Sequence, residues 1–147
     1  MSGWQDNIVE DPAAIVDLLR NAKRLAVLGI KPEERFHKPA FYVPRYLHEV
    51  GYEIVPVPVY YPELREMMGV PVYRKVADVP GEIDMVVVFR RPEDIPAHVP
   101  DLLKKKPKSV WFQLGIRNDE AARELAEAGI RVVQDRCTMI EHRRIGR

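Results

Sequence analysis

The chain carries 147 residues, 23 of them basic and 22 acidic, for a formal net charge of +1. That balance gives no field for nucleic acid or a membrane surface, and no apolar run approaches the ~20 residues that cross a bilayer. The lone cysteine, Cys137, excludes an internal disulfide and an all-cysteine metal site and fits a reducing compartment, so a soluble cytoplasmic protein is expected.

Residues 1–10 lack the basic stretch and apolar core of a signal peptide. A chain of this size is expected to form one domain, residues 1–147, burying about two-thirds of its unfolded surface without a staple. Asp11-Pro12 opens a helix, with Asp11 as cap and Pro12 at the first helical position, and Ile15, Val16, Leu18 and Leu19 line its face up to Ala22. Leu25 to Leu28 is a short apolar run stopped by Gly29, the pattern of a buried parallel strand. The loop that follows is charged through Lys31, Glu33, Glu34, Arg35, His37 and Lys38. Pro39 then starts a helix with no Ser, Thr, Asp or Asn before it as a cap. Its first N–H groups and the positive end of its dipole are left to water or an anion. Tyr42, Val43, Tyr46, Leu47 and Val50 continue at helical spacing to Gly51, with a kink expected at Pro44.

Ile54 to Val59 is the second strand, its far end weakened by prolines. A short helix is expected from Glu63 to Met68, stopped by Gly69, and a connector through Tyr73 and Val79. Asp84 to Phe89 is the third strand, followed by Arg90-Arg91-Pro92 and a helix from Glu93 to Lys106 that contains Pro96 and Pro100. Ser109 to Leu114 is the fourth strand. Asn118 caps a helix over Asp119 to Ala128, and Ile130 to Val133 is the fifth strand. The tail, residues 135–147, is irregular or a short helix. Five strands alternating with helices about every 25 residues imply an α/β, Rossmann-like, doubly wound parallel sheet with helices on both faces, in the order 3-2-1-4-5.

Such a sheet gathers ligand loops at the carboxyl ends of its strands. A nicotinamide dinucleotide is the first candidate, and the residues argue against it twice. The first loop has one glycine instead of G-x-G-x-x-G, and the second strand ends in Pro58-Val59-Tyr60 without an acid for an adenosine ribose. The rim offers cations, Lys31, Arg35, Lys38, Arg90 and Arg91, beside flat proline and tyrosine surface, which suits a phosphorylated adenine ligand. Arg90 and Arg91 have a plainer use in ion pairs with Glu93 and Asp94, and Lys31 and Lys38 as solvated loop charges. Trp111 and Phe112 lie on a strand and belong to the core. His37, His48, His98 and His142 show no metal-ligand spacing, and no G-x-S-x-G elbow is present. Cys137 and His142 could pair as thiol and base, but no third partner is visible, so no catalytic residue and no metal ligand is assigned. Tyr60, Tyr61, Met67 and Met68 form a candidate homodimer patch.

Several blocks carry a family resemblance. They are Ala26 to Gly29 with Pro32, Lys38-Pro39, Gly51-Tyr52 before Val55-Pro56-Val57, Val88 to Asp94, Val110 to Gly115, and Asp135-Arg136-Cys137 with Ile140-Glu141-His142. In this order they resemble the small stand-alone CoA-binding proteins, whose domain is similar to the N-terminal domain of the succinyl-CoA synthetase α subunit. The resemblance implies that Gly29, Ile30, Lys31 and Pro32, with Lys38 and Pro39, meet the phosphates of coenzyme A. It implies that Pro58 flanks the adenine and that Phe89, Arg90, Arg91 and Pro92 lie along the pantetheine or pyrophosphate. The family pattern after strand two is Pro-Val-Asn-Pro, often followed by a lysine. This chain has Pro56-Val57-Pro58-Val59 and then Tyr60-Tyr61, which implies weaker CoA affinity or a substitute cation from Arg35 or Arg65. The synthetase's phosphohistidine domain has no counterpart here, so ligase chemistry does not carry over. The expected function is non-catalytic binding of CoA or an acyl-CoA as a carrier, sensor or accessory domain. The rivals are a small acyl-CoA-handling enzyme using Cys137 and an NAD-responsive regulatory domain.

Overall fold

A computed structural model describes residues 3–145. Met1 and Ser2 at the start of the expected unit, and Gly146 and Arg147 at the end of the expected tail, lie outside the described residues. In chain order the elements are α1 (Pro12–Asn21), β1 (Arg24–Leu28), α2 (Pro39–Glu49), β2 (Glu53–Val57), β3 (Glu66–Met67), β4 (Val70–Pro71), β5 (Met85–Val88), α3 (Val99–Lys105), β6 (Ser109–Phe112), α4 (Asp119–Glu127), β7 (Arg131–Val133) and α5 (Thr138–Arg143).

The apolar runs form one parallel five-stranded sheet, β2-β1-β5-β6-β7. Side chains alternate across a strand, so each run feeds two cores. Ala26, Leu28, Val86, Val88, Val110 and Phe112 face Val99, Leu102, Ala121 and Leu125 of α3 and α4. Leu25, Val27, Met85, Val87, Trp111 and Val133 face Ile15, Leu19, Val43 and Leu47 of α1 and α2. Helices on both faces explain why the strands read as continuous apolar runs. The expected caps form: Asp11 Oδ2 accepts from Ala14 N–H at 3.0 Å, and Asn118 Oδ1 from Ala121 N–H at 3.0 Å.

Numbered within the sheet alone, the order is 2-1-3-4-5. Counting the segment that leaves β4 as a sixth member, third in chain order, extends this to 3-2-1-4-5-6, which contains the expected 3-2-1-4-5. That segment lies along the outer side of β2, with Tyr73 N–H donating to Pro56 O at 3.0 Å. The strand expected third, now β5, takes the next place, on the other side of β1. The opposite edge is covered by the N-terminal segment, where Ile8 bridges to Val132 and Val9 N–H donates to Val132 O at 2.8 Å.

Two expected helices are corrected. Residues 63–68 form no helix: Glu66–Met67 and Val70–Pro71 pair antiparallel. Met68 and Gly69 between them both take positive φ, 52° and 79°. That is the backbone of a two-residue hairpin turn, so the glycine turns a strand instead of ending a helix. The helix expected over 93–106 starts late. Pro92–Asp94 and Pro96–His98 are 3-10 turns, and only Val99–Lys105 is α-helical, because prolines withhold the donors a longer helix needs. Among the described residues no helix is long and apolar enough to cross a membrane.

Candidate functional site

β1 ends where it is gripped from both sides. Gly29 N–H donates to Val57 O of β2 and Phe89 N–H, just past β5, donates to Leu28 O, both at 2.9 Å. Gly29 turns out of the sheet with φ 88°, and a Cβ there would collide with the Phe89 carbonyl oxygen. The position therefore requires glycine on both counts. The next turn is fixed from α2. Pro44 has no N–H to offer the Ala40 carbonyl, and Lys31 N–H takes that carbonyl instead at 3.1 Å. The proline expected to disturb the helix thus ties the β1–α2 loop to it. α2 itself opens at Lys38 with no side-chain cap and with Pro39 in its first turn, as expected.

These constraints bring three strand tips together around a cleft of about 220 Å³, lined by residues 29–31, 59–61 and 89–91. Gly29, Ile30, Lys31, Phe89, Arg90 and Arg91 of the expected set line it. Ile30 is almost wholly buried and belongs to the core beneath. The other expected residues lie outside the lining. Pro58 and Pro32 are both buried. Arg35 reaches the rim, its Nε donating to Tyr61 Oη at 3.3 Å. Lys38 and Pro39 are exposed at the start of α2. Pro92 enters a 3-10 turn, and its carbonyl accepts from Asn118 Nδ2 at 2.9 Å.

Val59, Tyr60 and Tyr61 complete the lining, and sequence reasoning did not assign them as contacts. The signal was present in the flat surface at the end of the second strand. Tyr61 sits at φ 66°, an uncommon conformation for a large side chain. Arg74 holds this loop: its guanidinium donates to the carbonyls of Tyr60, Tyr61, Pro62 and Leu64 at 2.7–3.3 Å. Nothing local marks Arg74 in the sequence.

Arg90 forms the inner wall of the cleft. Its Nε donates to His98 Nε2 at 3.1 Å, its Nη1 to Tyr60 Oη at 3.3 Å, and its Nη2 lies 3.6 Å from Asp94 Oδ2. The guanidinium carbon stands 5.4 Å from the Tyr60 ring centre. The hydrogen bond and charge of Arg90 hold the Tyr60 phenol below its ordinary value. Burial, then the Arg90 charge, pushes the His98 imidazole below its ordinary value and keeps it neutral near pH 7. Arg91 is exposed and bonds Asp94 Oδ2 at 2.9 Å, with Glu93 at 3.8 Å. The ion-pair use of both arginines is therefore present in the structure.

Cys137 lies elsewhere. It is 8% exposed and lines a separate cavity of about 420 Å³ with Leu114, Asp135 and Arg136. Its block is held by hydrogen bonds to the end of β6. Asp135 Oδ1 accepts from Gly115 N–H at 2.6 Å, Trp111 Nε1 donates to Arg136 O at 2.7 Å, and Gln113 Oε1 accepts from Thr138 N–H and Oγ1 at 3.0 and 2.8 Å. His142 Nδ1 is 2.8 Å from Tyr46 Oη. Trp111 and Phe112 are fully buried in the core, as expected. Met67 is buried too, which removes it from the apolar patch considered for self-association.

A family model described as a CoA binding domain matches residues 23–143. The chain belongs to that family. This CoA-binding domain is 34% identical over 130 residues to the uncharacterized protein YneT of Bacillus subtilis (strain 168), covering 88% of this chain and 93% of that one. A solved protein of Thermus thermophilus is 39% identical, with a TM-score of 0.83 over 92% of this chain and 99% of that one. The dinucleotide-forming acetyl-coenzyme A synthetase 1 of Ca. Korarchaeum cryptofilum shares the fold at 22% identity and a TM-score of 0.65, over 80% of this chain and 27% of its own.

Proposed function

We propose that this domain binds coenzyme A or an acyl-CoA at the carboxyl ends of β1, β2 and β5, without catalysing its conversion, as a carrier, sensor or accessory domain. The observation that carries the reading is the cleft's lining. Lys31, Arg90 and Arg91 contribute three cations, the two arginines paired with Asp94 outside the lining, residues 59–61 contribute two aromatic faces, and among the described residues no carboxylate lines it. A multiply phosphorylated adenine ligand matches that combination. At about 220 Å³ the cleft takes one end of CoA, with the remainder laid over the rim toward Arg35 and the uncapped start of α2, where Lys38 and Pro39 stand. Gly29, Ile30 and Pro32 shape the loop beneath the ligand, and Pro58, Phe89 and Pro92 set the strand tips around it. Arg35 reaches the loop that lacks the family's asparagine and lysine, and its bond to Tyr61 supports it as the replacement cation.

The separate location of Cys137 supports a binding role over thiol chemistry. The lone cysteine suits a reducing cytoplasm, where CoA is drawn from the soluble pool. Calorimetric titration with CoA, dephospho-CoA and NAD tests the reading. CoA is expected to bind, dephospho-CoA about tenfold more weakly, and NAD more weakly still. No heat and no shift in melting temperature with saturating CoA, or tighter binding of NAD, overturns it.

A further inference from the structure

Among the described contacts, Arg90 is the cleft cation that donates to a histidine outside the lining. Its Nε–H points away from the cleft into His98 Nε2 at 3.1 Å. Arginine only donates, so that nitrogen must accept, and the imidazole proton sits on Nδ1. The same guanidinium then presents Nη1 to Tyr60 Oη at 3.3 Å and lies over the Tyr60 ring. His98 belongs to the 3-10 turn Pro96–His98, directly before α3, and is only partly exposed. The charged groups facing it are Arg90 beyond β5, Asp94 from the 92–94 turn and Asp101 from α3. Asp101 is anchored in turn, accepting from Val76 and Ala77 N–H at 2.8 and 3.1 Å. The imidazole thus aims one lone pair at the arginine, beside an anchored carboxylate charge.

We propose that His98 is a positioning residue of the ligand cleft: its neutral Nε2 holds the Arg90 guanidinium against Tyr60, and protonation of that nitrogen releases the arginine and weakens capture of the anionic ligand. The proposal rests on the CoA reading of the cleft. A proton on Nε2 puts two donors face to face 3.1 Å apart and adds a cation beside the guanidinium. Asp94, 3.6 Å from Nη2, is then the strongest remaining partner and draws Arg90 away from Tyr60. The domain would therefore hold its ligand near neutral pH and let go as the pH falls through the His98 titration.

The test compares the full chain with His98→Gln and His98→Leu. Glutamine keeps an acceptor that does not titrate, and leucine removes it. CoA affinity is measured by calorimetry from about pH 8 to about pH 5. Protonation of the ligand's own phosphate weakens binding in all three proteins alike. The wild type is expected to lose about tenfold more affinity than His98→Gln over this range. His98→Leu is expected to bind about tenfold more weakly already at neutral pH. Parallel pH profiles for wild type and His98→Gln overturn the proposal. A ligand-free arm reads the ring by nitrogen NMR, with the proton expected on Nδ1 at neutral pH and the titration expected to move upward in Arg90→Met. A proton on Nε2, or an unmoved titration in Arg90→Met, overturns the contact itself. Absence of any CoA binding by the wild type overturns the CoA reading instead, and the ring titration tells the two failures apart.

Discussion

Gly29 is the residue on which both the sheet and the cleft depend. Its φ of 88° and the collision awaiting a Cβ at Phe89 O make even alanine costly. The backbone conformation alone costs about 1–3 kcal/mol in a residue with a side chain, and relief of the collision must push β5 from β1. Gly29→Ala is expected to lose at least about 2 kcal/mol in urea denaturation and to weaken CoA binding more than tenfold. A variant of unchanged stability would show that the strand tips are not packed as described. Tyr60 offers a second residue-level check. The hydrogen bond from Arg90 and its charge favour the phenolate, so one tyrosine should ionise early in an absorbance-monitored alkaline titration. That early step should vanish in Tyr60→Phe and move to higher pH in Arg90→Met.

Among elements, the strands were legible and the connectors less so, for physical reasons. A parallel strand buried on both faces must be apolar throughout, and Leu25 to Leu28 or Met85 to Val88 announces this locally. Met68-Gly69 does not announce itself, because a glycine after an apolar run can end a helix or turn a hairpin, and packing of β4 against β2 decides. The candidate site divides in the same way. Gly29 and the Phe89 to Arg91 tip were visible because strand ends carry ligand loops. His98 and Arg74 were not, because each acts across the fold on a partner 8 to 14 residues distant, with no periodicity to mark it. Arg74 makes the point testable. One guanidinium gathers four carbonyls and holds the loop that bears Tyr60 and Tyr61. Its bonds are exposed, each worth about 0.5–1.5 kcal/mol at most. Arg74→Ala is expected to cost about 1–2 kcal/mol in stability and to speed amide exchange across residues 60–64. Arg74→Lys should restore little, since an ammonium cannot span the carbonyls as a planar fork does. Unchanged exchange in Arg74→Ala would place control of the loop elsewhere.

Across the whole molecule the two ends of the sheet carry different duties. The amino end is braced by hydrogen bonds and ion pairs. Asp84 Oδ2 accepts from Lys23 and Arg24 N–H, both at 2.9 Å, and Lys108 Nζ lies 3.5 Å from its other oxygen. Arg24 bonds the carbonyls of Pro80 and Glu82 at 2.7 and 3.0 Å and pairs with Glu53 at 3.0 Å, while Lys105 Nζ donates to Val79 O. The carboxyl end carries the cleft lined by residues 29–31, 59–61 and 89–91. Stability and ligand affinity should therefore separate by end. Asp84→Ala strips two backbone N–H groups of a charged acceptor and is expected to cost about 2 kcal/mol, with CoA affinity unchanged. Burial raises the Asp84 carboxyl and the Arg24, Lys23 and Lys108 donors more than offset that, so its folded value lies below the ordinary one. A depressed acid contributes its stability fully above the unfolded value of about 3.9 and loses it as pH falls through the folded one. The gap between wild type and Asp84→Ala should then be full at neutral pH and shrink toward about pH 3 in urea titrations. A ligand bound only by the folded chain adds about 2.7 kcal/mol at 100 times its dissociation constant. CoA at that level should bring Asp84→Ala back to the stability of the ligand-free wild type. Failure of that rescue, with affinity reduced, would mean that the amino end shapes the cleft as well as the stability of the sheet.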